Sequence, residues 1–390
     1  MAQATHGMSL DARYEMQRRI GQGSYGTIAQ ARDRATGETV AIKKIRGAFE
    51  DAADCKRTLR EIKLLRHFSH ENILQLKEIM LPRSGEWLDL YLVFERMDCD
   101  LHHVLRSNPL LTNNHIRWFA YQILRGVAAI HEAHVLHRDL KPGNILVNRN
   151  CDVKICDFGL ARGVDDSRSP QNAGSPPTAP LTEYVVTRWY RAPELLCQNT
   201  CYGREIDLWS VGCVLAEMLG RRPFLPGRDY LQQVRLIVER IGADAADLDT
   251  IEHEQAREYV QVVAERGRSN SSSSTLPPWP ASLPHLFPEA QPEALSLLSR
   301  LLVFNPSGRI SAADALNDAY VQDLHQLNKV APVAPFDLTF EEQGVTEAQL
   351  RALCWGELFK FHPEVGVTPP RSFVDGVVLI QTMEEATAIA

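Results

Sequence analysis

The 390-residue sequence lacks an apolar run long enough to cross a bilayer. Its most apolar helical stretch, Ile206 to Leu219, falls short of the roughly 20 residues a span requires and carries Asp207 and Glu217. The opening residues, MAQATHGMSLDARYEMQRR, hold no apolar core, so no secretory signal is expected. A basic excess is missing too. The net charge of −7 offers no field for nucleic acid or an anionic membrane. Paired Cys/His clusters at zinc spacing are absent: Cys197/Cys201 and Cys151/Cys156 are the tightest pairs, and neither has a second pair to complete a site. The eight cysteines therefore read as reduced thiols. There is no internal repeat. What remains is an ordinary globular composition, 44% hydrophobic and 23% charged, in a chain long enough for one large domain or two medium ones.

Periodicity divides the chain. Residues 14–45 read as strands broken by Gly21, Gly23 and Gly26, with Gly37 at a turn before Thr39-Val40-Ala41-Ile42. Residues 56–67 switch to helical spacing, with Leu59, Ile62 and Leu65 on one face. Tyr91-Leu92-Val93-Phe94 reads as a short strand. From Ile116 a strong helical period sets in through Phe119, Ile123, Leu124, Val127 and Ile130, and helix dominates thereafter. The pattern predicts an α+β chain: a small β-rich lobe, then a larger helical one. Residues 163–181, rich in Pro, Ser, Asp and Gly, are expected to form a mobile loop. Residues 265–284, with the polar run Asn270 to Ser274 and then Pro277-Pro278, are expected to be an irregular surface insertion. The segment from about 365 shows little periodicity.

The chemistry-bearing residues follow in order. Gly21-Gln22-Gly23-Ser24-Tyr25-Gly26 is a G-x-G-x-x-G run whose backbone N–H groups can approach phosphate. The same pattern opens dinucleotide-binding folds, but here a strand follows instead of a long helix. Val40-Ala41-Ile42-Lys43 places a lysine on a buried strand, which is costly unless it is paired; Glu61 on the next helix is the natural partner. His137-Arg138-Asp139-Leu140-Lys141-Pro142-Gly143-Asn144 is far more specific. Asp139 can accept a proton from an attacking hydroxyl, Lys141 can neutralise a γ-phosphoryl group, and Asn144 with Asp157 can ligate Mg²⁺. Asp157-Phe158-Gly159 and Ala192-Pro193-Glu194 bracket a segment containing Thr182-Glu183-Tyr184, two hydroxyls open to modification.

Together these runs resemble a eukaryotic protein kinase over about residues 14–325. Within that superfamily the chain is similar to the CMGC group and its mitogen-activated protein kinases, of the extracellular-signal-regulated type with a Thr-Glu-Tyr motif. Arg57-Thr58-Leu59-Arg60-Glu61-Ile62-Lys63, Leu181 to Tyr184, Thr187 to Glu194, the insertion before Leu286-Phe287-Pro288, and Ala334-Pro335-Phe336 through Phe361-His362-Pro363 carry the closer likeness. The resemblance implies a bilobal fold: an N-terminal extension (1–13), a small lobe (14–98), and a large lobe (99–325) holding an activation segment (157–194) and an insert (about 243–285). An extension (326–364) would pack back on the small lobe, followed by a tail (365–390). It implies an ATP- and Mg²⁺-dependent serine/threonine kinase directed to Ser/Thr-Pro sites. Lys43, Glu61, Asp139, Lys141, Asn144 and Asp157 would be catalytic. Ile20, Gly21, Gly23, Gly26, Ile28, Ala41, Phe94 (gatekeeper), Glu95 and Met97 (hinge), Asp100 (ribose), Leu146 and Cys156 would line the nucleotide site. Val40 would also contact adenine.

Two phosphates, each about −1.5 to −2 in charge, would need cationic partners. Arg60, Arg138 and Arg162 match receivers for phospho-Thr182, and Arg188 and Arg191 match those for phospho-Tyr184. The family's partners would be an upstream dual-specificity MAP kinase kinase, phosphatases and Ser/Thr-Pro proteins, with the chain a monomer of cytoplasm and nucleus that neither binds nucleic acid nor enters membrane. Two departures stand out. The loop before Thr182 is long and contains Ser169-Pro170 and Ser175-Pro176, candidate self-modification sites. The usual acidic docking patch is weak, since residues 322–335 offer only Asp323 as an acid, whereas Tyr230, Leu231 and Tyr259 match a second, aromatic-accepting docking pocket. The alternatives are a cyclin-dependent-like kinase, though the helix around Glu61 lacks a cyclin-binding pattern, and a pseudokinase scaffold, though Lys43, Asp139 and Asp157 are all retained.

Overall fold

The computed structural model describes residues 13–23, 26–48, 52–80, 89–107, 111–164, 187–270, 277–328, 332–341 and 345–363. It divides into two compact units, Met1–Met97 with Asp337–Ala390, and Asp98–Phe336. The boundaries differ slightly from those expected. Residues 326–336 stay with the second unit, where the Phe336 N–H donates to the Ala133 carbonyl at 2.9 Å. The tail from 365 and nearly all of residues 1–13 lie outside the described residues.

The first unit is an antiparallel sheet of β1 (Tyr14–Gly23), β2 (Gly26–Asp33), β3 (Thr39–Ile45), β4 (Leu76–Met80) and β5 (Leu90–Glu95), in the order β1-β2-β3-β5-β4. Alternation in β3 sends Val40 and Ile42 into a core with Tyr14, Ala31, Met80, Tyr91 and Val93. One helix, α1 (Ala52–His67), buries Leu59, Ile62 and Leu65 as its spacing predicts, but it also buries Arg60 and Glu61. Charged groups are rarely interred without partners, so α1 must be held by ion pairs as well as by apolar contact. Its neighbour comes from the far end of the chain. The C-terminal helix Glu347–Phe361 starts on a reciprocal Thr346/Gln349 capping box and buries Leu350, Cys354, Trp355 and Leu358. The Cys55 and Cys354 sulfurs meet across the two helices at 3.8 Å.

The second unit is mainly helical. Short strands β6 (Cys99–Asp100), β7 (Val135–Leu136), β8 (Ile145–Val147), β9 (Val153–Ile155) and β10 (Arg162–Gly163) form two small ladders, β6-β8-β9 and β7-β10. Around them lie α2 (Leu101–Arg106), α3 (Asn113–Glu132), α4 (Pro193–Leu196), α5 (Glu205–Gly220), α6 (Tyr230–Ile241), α7 (Ala245–Asp249) and α8 (Glu254–Asn270), with later helices at Pro292–Leu301, Ala312–Leu316 and Gln322–Leu327. α5 is interior, buried from Ile206 to Met218, which explains its apolar composition without a membrane. Residues 265–270, expected to be irregular, instead continue α8. Val260, Val263 and Ala264 anchor that helix in the core, and no proline interrupts it before Pro277.

Candidate active site

In the first unit, strand register gathers the small-lobe candidates. Gly21 pairs with Ile28 and Ile28 with Lys43, so the three lie in one row across β1, β2 and β3; Ala41 pairs with Phe94 on β5. Lys43 Nζ contacts Glu61 Oε1 at 2.5 Å, with both side chains largely buried. The pairing fixes the direction of the lysine. The glycines differ in what they permit. A Cβ on Gly26 would sit 1.7 Å from the Lys44 carbonyl oxygen, so that residue is glycine because β3 backbone passes too close. A Cβ on Gly21 would meet only Ile28 at an ordinary 3.6 Å. Phe94 and Met97 are buried. The Glu95 backbone N–H and carboxylate both bond Gln75. Ile20 is exposed.

The second unit brings together Asp139, Lys141 and Asn144, three of the residues expected to be catalytic. Lys141 Nζ donates to Asp139 Oδ2 at 2.7 Å, and Asn144 Nδ2 donates to the same oxygen and to the Asp139 carbonyl, each at 2.9 Å. Asp139 Oδ1 is buried and has no hydrogen-bond partner among the described residues. With its nitrogen engaged, Asn144 keeps its carbonyl oxygen as the end able to face a cation. Together with the Asp157 carboxylate this makes a hard-oxygen donor set of the kind Mg²⁺ takes, completed by phosphate and water. Asp157 and Arg138 both hold left-handed backbone, φ +67° and +68°, conformations non-glycine residues occupy only when their surroundings enforce them.

Asp207 supplies that enforcement at Arg138. Its carboxylate accepts the His137 and Arg138 backbone N–H groups at 2.9 and 2.8 Å and contacts His131 Nε2 at 2.9 Å. Burial pushes its pKa up, but the His131 hydrogen bond and nearby histidine charge, with the Arg138 N–H, outweigh it, and the net shift is downward. Sequence reasoning treated Asp207 only as a charge that excludes a membrane span. The signal was present: an acid inside a largely apolar helix requires a partner. His137 Nε2 also bonds the Cys156 carbonyl at 3.0 Å, and Cys156 N–H donates to the Asn144 carbonyl, tying the loop to the residue before Asp157. Leu146 and Asp100 face each other across β6-β8. Asp100 Oδ1 caps α2 through the His103 N–H at 2.6 Å, a role the sequence reading did not assign.

Residues 14–321 match the family model described as the protein kinase domain. The mitogen-activated protein kinase homolog NTF6 of Nicotiana tabacum is 46% identical over 348 residues, covering 88% of this chain and 87% of that protein. Mitogen-activated protein kinase 5 of Arabidopsis thaliana is 46% identical over 89% of this chain and 87% of its own length, and mitogen-activated protein kinase 4 of Oryza sativa subsp. japonica is 46% identical over 91% of each. The chain belongs to the mitogen-activated protein kinases. It is thus a serine/threonine protein kinase of the bilobal fold, in a family that uses ATP and Mg²⁺, is served by upstream MAP kinase kinases and acts on proteins.

Thr182 and Tyr184 lie outside the described residues of this MAP kinase, as do Ser169-Pro170 and Ser175-Pro176. The arginines assigned to them are described. Arg138 Nη1 reaches the Leu160 carbonyl and its guanidinium stacks 5.4 Å from the Tyr202 ring centre; Arg162 Nη1 donates to the Ala161 carbonyl. Arg188 is buried and donates to the Arg228 carbonyl at 3.2 Å. The Arg191 charge is disfavoured first by burial and then by Arg188 and Arg138, against the attraction of Asp139, so its pKa is lowered. Arg60 belongs to the first unit, where its guanidinium is bound to Glu341. Among the docking candidates, Asp323 is engaged by Arg117; Tyr259 OH donates to the Leu231 carbonyl at 3.2 Å, leaving the Leu231 side chain 57% exposed.

Proposed function

We propose that this MAP kinase transfers the γ-phosphoryl group of Mg-ATP to serine or threonine followed by proline, under control of joint phosphorylation of Thr182 and Tyr184. The Asp139 carboxylate carries the reading: Oδ2 is held by Lys141 and Asn144, while the buried Oδ1, without a hydrogen-bond partner among the described residues, is suited to take the proton of an attacking hydroxyl. Lys141, already beside that carboxylate, would neutralise charge on the transferring group. Lys43, steadied by Glu61, would orient the α- and β-phosphates. Asn144 and Asp157 would hold Mg²⁺, which when bound screens phosphate charge. Proline after the target fits because it brings no N–H in need of an acceptor. Arg191, partly desolvated and repelled by Arg188 and Arg138, marks a cationic group on which loop phosphates would be stabilising.

The test is transfer from radiolabelled ATP to a peptide library before and after treatment with a MAP kinase kinase. Expected are a strong preference for proline after the phosphoacceptor and activation by orders of magnitude. A Thr182→Ala/Tyr184→Phe variant as active as the doubly phosphorylated enzyme would overturn the switch, and a library without proline preference would overturn the specificity. Monomeric state, reversal by phosphatases, and action in cytoplasm and nucleus belong to the same proposal.

A further inference from the structure

We propose that Glu341 is a positioning residue for the Lys43–Glu61 pair, acting through Arg60 to fix the rotation of α1 before any phosphate is added. The inference rests on the kinase reading above. Arg60 and Glu61 are successive residues of a helix, so their side chains leave the axis about 100° apart. Both are buried, at 3% and 5% exposure, and both are ion-paired: Glu61 to Lys43 on β3, and Arg60 to Glu341 in the chain's C-terminal segment. The Arg60–Glu341 contact is two-pronged, Nε to Oε1 and Nη2 to Oε2, the latter at 3.0 Å. Restraints on adjacent residues, pointing in different directions, oppose rotation of the helix in either sense.

The turn that presents Glu341, Thr339–Glu341, is seated along one stripe of α1. Lys56 Nζ donates to the Glu341 carbonyl, Arg60 binds its carboxylate, and Lys63 Nζ lies 4.9 Å from the Phe340 ring centre. Positions 56, 60 and 63 are spaced i, i+4, i+7, a single helix face. The same face is fastened further along, where Lys63 and Arg66 reach Glu357 on the C-terminal helix. A buried guanidinium demands an anion, and Glu341 supplies one from within the chain. Arg60 is also the residue that the family resemblance assigns to phospho-Thr182. Within the first unit, α1 is therefore anchored by a carboxylate in the unmodified enzyme.

The experiment uses the unphosphorylated full chain and a fluorescent ADP derivative, with Glu341→Gln and the charge-swapped Arg60→Glu/Glu341→Arg. Glu341→Gln is expected to weaken nucleotide binding about tenfold, equivalent to about 1.4 kcal/mol. The swap is expected to restore nucleotide affinity. Glu341→Gln with wild-type affinity would overturn the proposal. So would a swapped protein that folds yet does not regain affinity, or failure of both variants to fold, which would make the pair a stability element only. If the wild-type chain itself binds no nucleotide and transfers no phosphate, it is the kinase reading that fails.

Discussion

Asp207 never touches a phosphate in the proposed reaction, yet the loop carrying Asp139 hangs on it: two backbone N–H groups and one imidazole converge on a carboxylate with no solvent exposure. Asn at this position has one acceptor oxygen for several donors and turns an NH₂ toward them. Asp207→Asn is expected to cost about 3–5 kcal/mol, read by chemical denaturation, and to lower kcat while Asp139 remains intact. Because the folded-state pKa of Asp207 lies below the ordinary carboxylate value of 3.8, its contribution is fully present above pH 3.8 and is lost as pH falls through the depressed value. Melts of the two proteins should therefore converge only on the acid side of pH 3.8. Asp139→Asn should behave differently, lowering kcat about 10²- to 10⁴-fold with nucleotide affinity and melting temperature retained. The contrast explains what the sequence made legible. Asp139, Lys141 and Asn144 act on one another across a few residues, so their chemistry is written in one short run. Asp207 lies 70 residues from His137 and Glu341 lies 281 from Arg60, and no local pattern ties such pairs together.

Secondary-structure elements followed the sequence wherever a single face was apolar. The row of alternating residues in β3 and the helical period from Ile116 translate directly into β3 and α3. Pattern reasoning weakened where the helix was sparsely apolar, as in residues 265–270 of α8, and where charge was buried, as on α1. The glycine-rich strands sharpen the point, since one motif contains glycines of two kinds. Gly26→Ala forces a Cβ into the Lys44 carbonyl and should destabilise the β2–β3 pairing by about 1–3 kcal/mol, seen as a lower melting temperature. Gly21→Ala meets only van der Waals contacts and should leave the melt unchanged while weakening nucleotide affinity. Equal melting losses in both variants would show that the distinction is wrong.

The whole molecule is two units, of which the first is discontinuous in sequence: residues up to Met97 are completed only by those from Asp337 onward. The resemblance implied a returning extension, but not that the extension would bring Glu341 and Glu357 to the cations of α1. Deleting residues 337–390 removes no proposed catalytic group. It should nonetheless abolish nucleotide binding, with amide hydrogen exchange across α1 faster by orders of magnitude. A truncated chain that still binds ADP with unchanged affinity would contradict this. The order of assembly also matters on the ribosome. At about 5–20 residues per second, the sheet and α1 emerge tens of seconds before the helix that covers them. Throughout that interval Cys55 lacks the Cys354 neighbour it meets in the finished fold, and Arg60, Lys63 and Arg66 lack their C-terminal acids. The nascent kinase thus passes through a period in which its first unit is synthesised but unfinished, and that period is a natural window for chaperone capture and quality control.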